Sequence, residues 1–219
     1  MNEEGSTSHR QNSDSVDRIV RIASTLFAEH GFHGVTTREI AAAVGLNIAT
    51  VHYHVGTKEE LYREVFRRFN LPEAELFKRF RERVDDGVTS DALALRELLY
   101  WLVDELVNLL LQQPDRPRLW MRRWLEKPGQ FEQIEAQLAL PLYKMVDDIL
   151  EKAAEVGTIQ PKGLDLQLFQ ISFTWILYGF FTRGPLYRDS SQEDTFSQED
   201  IDNLKQFLKA YVSRMLGLP

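Results

Sequence analysis

Between residues 36 and 58 the chain gathers Thr36, Thr37, Arg38, Asn47, Ile48, Thr50, His52, Tyr53, His54 and Lys58. They supply hydroxyls, an amide, two imidazoles, a phenol, a guanidinium and an ammonium, which suits recognition by hydrogen bonding better than bond breaking. The major groove of a DNA duplex admits a helix and displays distinct donors, acceptors and thymine methyls at its base edges. Ile48 and the Thr50 methyl can touch thymine, Asn47, Thr50 and His52 can hydrogen-bond to bases or phosphates, and Ala49 is small enough for close approach. His52 and His54 stand two apart, so on a helix they share no face and define no metal site. The chain has no cysteine, which removes thiolate nucleophiles, disulfides and Cys-ligated metals. With no G-x-S-x-G, G-x-x-x-x-G-K-[ST] or H-E-x-x-H motif in the sequence, neither a catalyst nor a cofactor is implied.

Short helices must hold these groups. Val16, Ile19, Val20, Ala23, Leu26 and Phe27 form one apolar helical face, and Gly31 offers a left-handed stop. Thr36 with Glu39 reads as a capping box that starts a second helix, broken by Val44-Gly45-Leu46. Asn47 caps a third helix, and Thr57 with Glu60 repeats the capping box for a fourth. Two short helices on a glycine turn, packed against others, form a helix-turn-helix over residues 36–55, with Ile40, Ala41, Val44 and Val51 between them. Lys58, in the first turn of the fourth helix, adds its charge to the helix N-terminus as a candidate phosphate site.

Apolar residues recur at helical spacing almost throughout the 219 residues, so the expected fold is all-α. Residues 1–15 are polar, lack a secretion signal and read as a disordered tail; 16–71 form the DNA-binding domain; 72–219 form a larger ligand-binding and dimerisation domain, with Pro72 at the boundary. The net charge of −7 argues against bulk coating of nucleic acid, yet residues 16–71 carry seven Lys/Arg against six Asp/Glu, and a groove-binding face needs only a few cations. Further helices are expected at about 91–113, 117–127, 130–156, 165–183 and 198–216. Pro141 should kink or split the third of these, and Gly184-Pro185 should stop the fourth. No stretch is apolar over the roughly 20 residues a bilayer requires, so no membrane partner is expected, and the absence of cysteine points to a reducing cytoplasm.

The stretch Thr36-Thr37-Arg38-Glu39-Ile40-Ala41, Val44-Gly45-Leu46 and Thr50-Val51-His52-Tyr53-His54-Val55-Gly56-Thr57-Lys58-Glu59-Glu60-Leu61, preceded by Leu26-Phe27-Ala28-Glu29-His30-Gly31-Phe32, resembles the tetracycline-repressor (TetR) family of bacterial one-component regulators. The resemblance covers about residues 15–71. It implies that Thr37, Tyr53, His54 and Lys58 approach the DNA backbone while Asn47, Ile48, Thr50 and His52 face the groove. The family usually has tyrosine where this chain has His52, and often glycine where it has Ala49. It further implies a ligand-responsive repressor that binds a palindromic operator as a homodimer through the last two long helices, with a ligand cavity among the central ones.

The sequence supports that dimer independently: Ile201, Leu204, Phe207, Leu208, Tyr211, Val212 and Met215 form a broad face, and the preceding helix is apolar nearly all round. Candidate walls and polar groups of a pocket for a small lipophilic or aromatic ligand are Trp101, Asn108, Trp120, Trp124, Gln170, Thr174, Trp175 and Tyr178. The aromatics either line that cavity or are ordinary core. Arg118, Arg122 and Arg123 either are a wetted face or attract an acidic ligand. Two other classes compete: a helical interaction module without specific DNA binding, and an all-helical enzyme.

Overall fold

In the computed structural model, residues 4–126, 129, 131–160, 163–184 and 196–219 are described, with side chains from Asp14 onward. Among them the secondary structure is helical without strands. The chain divides into two compact units: Met1–Asn70 with Arg118–Gly129, and Leu71–Pro117 with Gln130–Pro219.

The smaller unit holds α1 (Glu4–His30), α2 (Thr37–Val44), α3 (Ile48–Val55) and the start of α4 (Lys58–Arg81). α1 begins well before the apolar periodicity does, so residues 4–15, expected as a tail, continue the helix. Once a helix is nucleated, each further residue adds one hydrogen bond, and this polar segment contains no proline to stop it. Residues 1–3 of that expected tail lie outside the described residues. α4 runs through Pro72 as one helix, and the two units divide within it, between Asn70 and Leu71.

The core of this unit is Ile19, Val20, Ala23, Phe27, Ile40, Val44, Val51, Leu61, Val65 and Phe66, all buried. Phe27, Tyr62 and Phe66 meet edge to face at centroid distances of 5.0 Å, and Phe66 continues the series onto Trp120 at 4.8 Å. Trp120 belongs to α7 (Asp115–Leu125), whose residues from Arg118 onward are part of this unit. Arg122 of the same helix donates through Nε to the Ala28 carbonyl at 2.6 Å and also binds the Glu29 carbonyl, satisfying the open C-terminal end of α1.

In the larger unit, α5 (Asp86–Ser90) precedes α6 (Ala92–Gln112), which Asp91 caps through its side chain. α6 buries Leu95, Leu98, Leu99, Leu102, Val103, Val107, Leu109 and Leu110, as expected of a helix packed on several sides. A short α8 (Glu132–Ile134), a π-helical turn at Glu135–Ala139 and α9 (Leu140–Glu155) make up the segment expected to kink or split at Pro141. The break falls just before Pro141, where the ring removes a backbone donor. α10 (Leu166–Arg183) and α11 (Gln198–Leu216) complete the unit, and Pro185 lies outside the described residues. α11 packs on α6 and buries Ile201, Leu204, Leu208, Val212 and Leu216, with Tyr100 Oη 2.7 Å from Ser213 Oγ and Lys205 donating to Asn108 Oδ1 at 2.9 Å.

Candidate nucleic-acid interface

A side chain caps the start of each short helix and a glycine closes its end. Thr36 Oγ1 accepts from the Glu39 N–H at 3.2 Å, and Glu39 Oε2 accepts from the Thr36 N–H at 2.7 Å. The Thr36 N–H and the Thr36 hydroxyl both donate to that carboxylate and hold it below its ordinary pKa. Gly45 ends α2 at φ 74°, ψ 32°, a left-handed conformation that a side chain resists. Asn47 Oδ1 then accepts from the Thr50 N–H at 2.7 Å and the Thr50 hydroxyl at 2.9 Å to start α3. The second capping box repeats the first: Glu60 Oε2 accepts from the Thr57 N–H at 2.7 Å, which lowers the Glu60 pKa in the same way.

Val51 of α3 is buried, whereas Ile48, Ala49, His52 and Tyr53 are exposed together as positions i, i+1, i+4 and i+5 of one helical face. Tyr53 is 82% exposed with its ring against His54, at 5.4 Å between centroids. Arg38 is exposed on α2, and Thr37 and His54 are half-buried. Asn47, Thr50 and Thr36 have oxygen atoms engaged in the caps, so their first task is to shape the motif. His52 Nδ1 lies 2.8 Å from the Gly56 carbonyl oxygen, a bond with no sequence signal beyond the glycine itself.

Lys58 departs from expectation. Its ammonium donates to the carbonyls of Val35 at 2.9 Å and Phe32 at 3.1 Å, and sits 4.1 Å from the centroid of the Phe32 ring. The cation clamps the loop from α1 to α2, because two converging carbonyls and an aromatic face together favour a positive charge.

The eight residues expected around a ligand are not gathered in one place. Trp120 and Trp124 belong to the smaller unit, their rings 5.9 Å apart. Trp101 lies under the guanidiniums of Arg83 and Arg79, at 4.2 and 5.7 Å from its ring centroid, Asn108 binds Lys205, and Trp175 is 42% exposed. Aromatics at helical spacing serve packing and surface equally, and periodicity alone cannot separate these roles.

Two of the remaining three lie in a buried polar network of the larger unit. Thr174 Oγ1 accepts from Tyr143 Oη at 3.1 Å, and Tyr178 Oη accepts from Arg116 Nε at 3.2 Å. Arg116, 1% exposed, also pairs with Glu73. Burial pushes the phenols of Tyr143 and Tyr178 upward; it also opposes the Arg116 charge, but Glu73 and the Tyr178 oxygen outweigh it and raise the guanidinium. Gln170 binds Asp147 and the Tyr143 carbonyl. The Glu73–Arg116 pair, 43 positions apart, carried no local sequence pattern. Among the described residues no group of three or more His, Asp or Glu is placed to hold a metal ion, and no helix is long and apolar enough to cross a membrane.

Residues 19–65 match the family model for bacterial regulatory proteins, tetR family. The HTH-type transcriptional repressor KstR2 of Rhodococcus jostii is 38% identical over 74 residues, 34% of this chain and 35% of that protein. KstR2 of Mycobacterium tuberculosis is 28% identical over 174 residues, 76% of this chain and 80% of its own length. The solved structure of the ketosteroid transcriptional regulator KstR2 of Mycobacterium tuberculosis superposes with a TM-score of 0.62 at 23% identity, covering 92% of this chain and 93% of the other, so the fold is shared. The capped helices around Gly45, the all-helical architecture and these relatives agree: residues 19–65 form a DNA-binding domain of the tetR type, and the chain is a DNA-binding transcriptional regulator.

Proposed function

We propose that the protein acts in the cytoplasm as a ligand-responsive repressor, binding a palindromic operator as a homodimer and having no catalytic role. The observation that supports this most is the exposed face Ile48, Ala49, His52 and Tyr53 on a short helix fixed at both ends. Such a face enters the major groove, with Arg38 and Thr37 of α2 and His54 of α3 toward the phosphates. Dimerisation is assigned to α10 and α11, where Leu168, Ile171 and Trp175 on one helix and Phe207 and Met215 on the other remain exposed. Within the subunit Ile201, Leu204, Leu208 and Val212 are already buried, so the surface left for a second copy is narrower than the whole apolar face of α11. Beside it, a groove of about 640 Å³ runs along Ile176, Gly179, Phe180, Leu204 and Phe207.

The inducer assigned to the larger unit is a small lipophilic or aromatic molecule. Tyr143, Thr174, Tyr178 and Arg116 supply the few polar groups that would orient it against an apolar interior. It relieves repression only by binding the DNA-incompetent arrangement more tightly than the competent one.

Selection of bound fragments from sheared genomic DNA, at low and moderate salt, tests the reading. A palindrome with half-sites about 34 Å apart is expected. An interaction module that has lost operator recognition would enrich no sequence at either salt.

A further inference from the structure

The backbone around Gly56 sets a hydrogen-bonding polarity on His52. His52 Nδ1 lies 2.8 Å from the carbonyl oxygen of Gly56, while the Gly56 N–H donates to the His52 carbonyl at 2.9 Å. A carbonyl oxygen only accepts, so the hydrogen of that side-chain bond sits on Nδ1. In the neutral ring Nε2 then carries a lone pair and no hydrogen. Gly56 makes this possible. It adopts φ 70°, ψ −142°, and a Cβ there would stand 2.2 Å from Glu60 Oε2, so the capping box of α4 and the carbonyl aimed at His52 both require glycine.

The imidazole is exposed one turn beyond Ile48, on the face shared with Ala49, and Nε2 lies on the side of the ring away from the bonded Nδ1. A lone pair directed outward is repelled by phosphate oxygens, by guanine N7 and O6, and by thymine O4. In the major groove it is matched by two groups, the N6 amino of adenine and the N4 amino of cytosine. Resting on the placement of α3 in that groove, we propose that His52 is a specificity-determining residue that accepts a hydrogen bond from an exocyclic amino group of adenine or cytosine at one position of each half-site. A tyrosine, the family's usual residue there, brings a hydroxyl that donates as readily as it accepts. The histidine narrows the preference to amino-bearing bases and makes no bond to phosphate in its neutral form.

Two measurements at pH 8 test this. Nitrogen-15 spectra of the full-length protein labelled in histidine should show Nδ1 of His52 protonated and Nε2 bare; the opposite tautomer overturns the proposal whatever the DNA does. In the second, the half-site from the genomic selection is rebuilt base by base, replacing adenine by purine or cytosine by pyrimidin-2-one to delete the amino group, and adenine by 7-deazaadenine to delete N7. Deleting one amino group should weaken wild-type binding about fivefold to tenfold, the worth of one hydrogen bond, while loss of N7 leaves it unchanged. His52→Ala should be indifferent to that same deletion, and His52→Gln, which keeps an acceptor, should retain sensitivity; circular dichroism verifies that both fold. Wild-type binding to a palindrome that is insensitive to every amino deletion, or whose His52-dependent loss follows methylphosphonate substitution, overturns the proposal while leaving DNA recognition intact. Absence of any enriched palindrome overturns both.

Discussion

Replacing Lys58 by methionine keeps the aliphatic stem against Phe32 and removes only the ammonium. The wild-type group makes two charge-assisted bonds, to Val35 O and Phe32 O, and sits on the Phe32 ring. A hydrogen bond to a charged group contributes about 1.5–3 kcal/mol and an accessible cation–π contact about 0.5–1 kcal/mol. Lys58 is half-buried, so water replaces part of this, and about 2 kcal/mol is the expected loss. For a chain of this size that lowers the melting temperature by about 4–8 °C, readable by circular dichroism. Fluorescence anisotropy over a range of salt supplies the discriminating observation. A lysine that bound a phosphate would contribute about 0.9 to the slope of log K against log salt, and the variant would lose it. A loop clamp contributes nothing to that slope, so affinity falls for every sequence with the slope kept. Unchanged stability together with a slope reduced by about 0.9 would refute the clamp and restore Lys58 as a phosphate ligand.

Other perturbations follow from the same geometry. Gly45→Ala forces a side chain into φ 74° and should cost about 1–2 kcal/mol in denaturant unfolding, with Gly45→Asn milder. Arg116→Met leaves Glu73 without its cation and should cost about 3 kcal/mol, most of which the added change Glu73→Leu recovers. Trp175→Glu with Phe207→Asp should yield a folded monomer by sedimentation, since both side chains are exposed and neither change removes a residue from the subunit's buried core. Glu39 and Glu60 have folded pKa values below the ordinary carboxylate value of about 4.3, so they add stability above that value and lose it as pH falls through the lowered ones. Acid titration of unfolding should therefore steepen below about pH 4, and Glu39→Gln should flatten it.

Much of the smaller unit was legible because its signals are local. Thr36 with Glu39, Asn47 with Thr50, and Thr57 with Glu60 each act within three residues, so pattern and bond coincide. The aromatic residues were less so. Trp101, Trp120 and Trp175 share a residue type and helical surroundings, yet they lie under arginines, in an aromatic series and on an exposed face respectively.

By itself the sequence determined the two short helices α2 and α3, the caps that start them and the glycine turn between them. Helix starts and stops depend on side chains reaching their own backbone a few residues away, and the 3.6-residue period assigns faces without reference to the rest of the chain. Tertiary structure decided where charges and rings end up. Lys58 turned inward because Phe32 and Val35, more than twenty positions away, present carbonyls to it. Arg116 was buried because Glu73 and Tyr178 meet it there. A buried charge is stable only beside its partner, and folding alone brings such partners together.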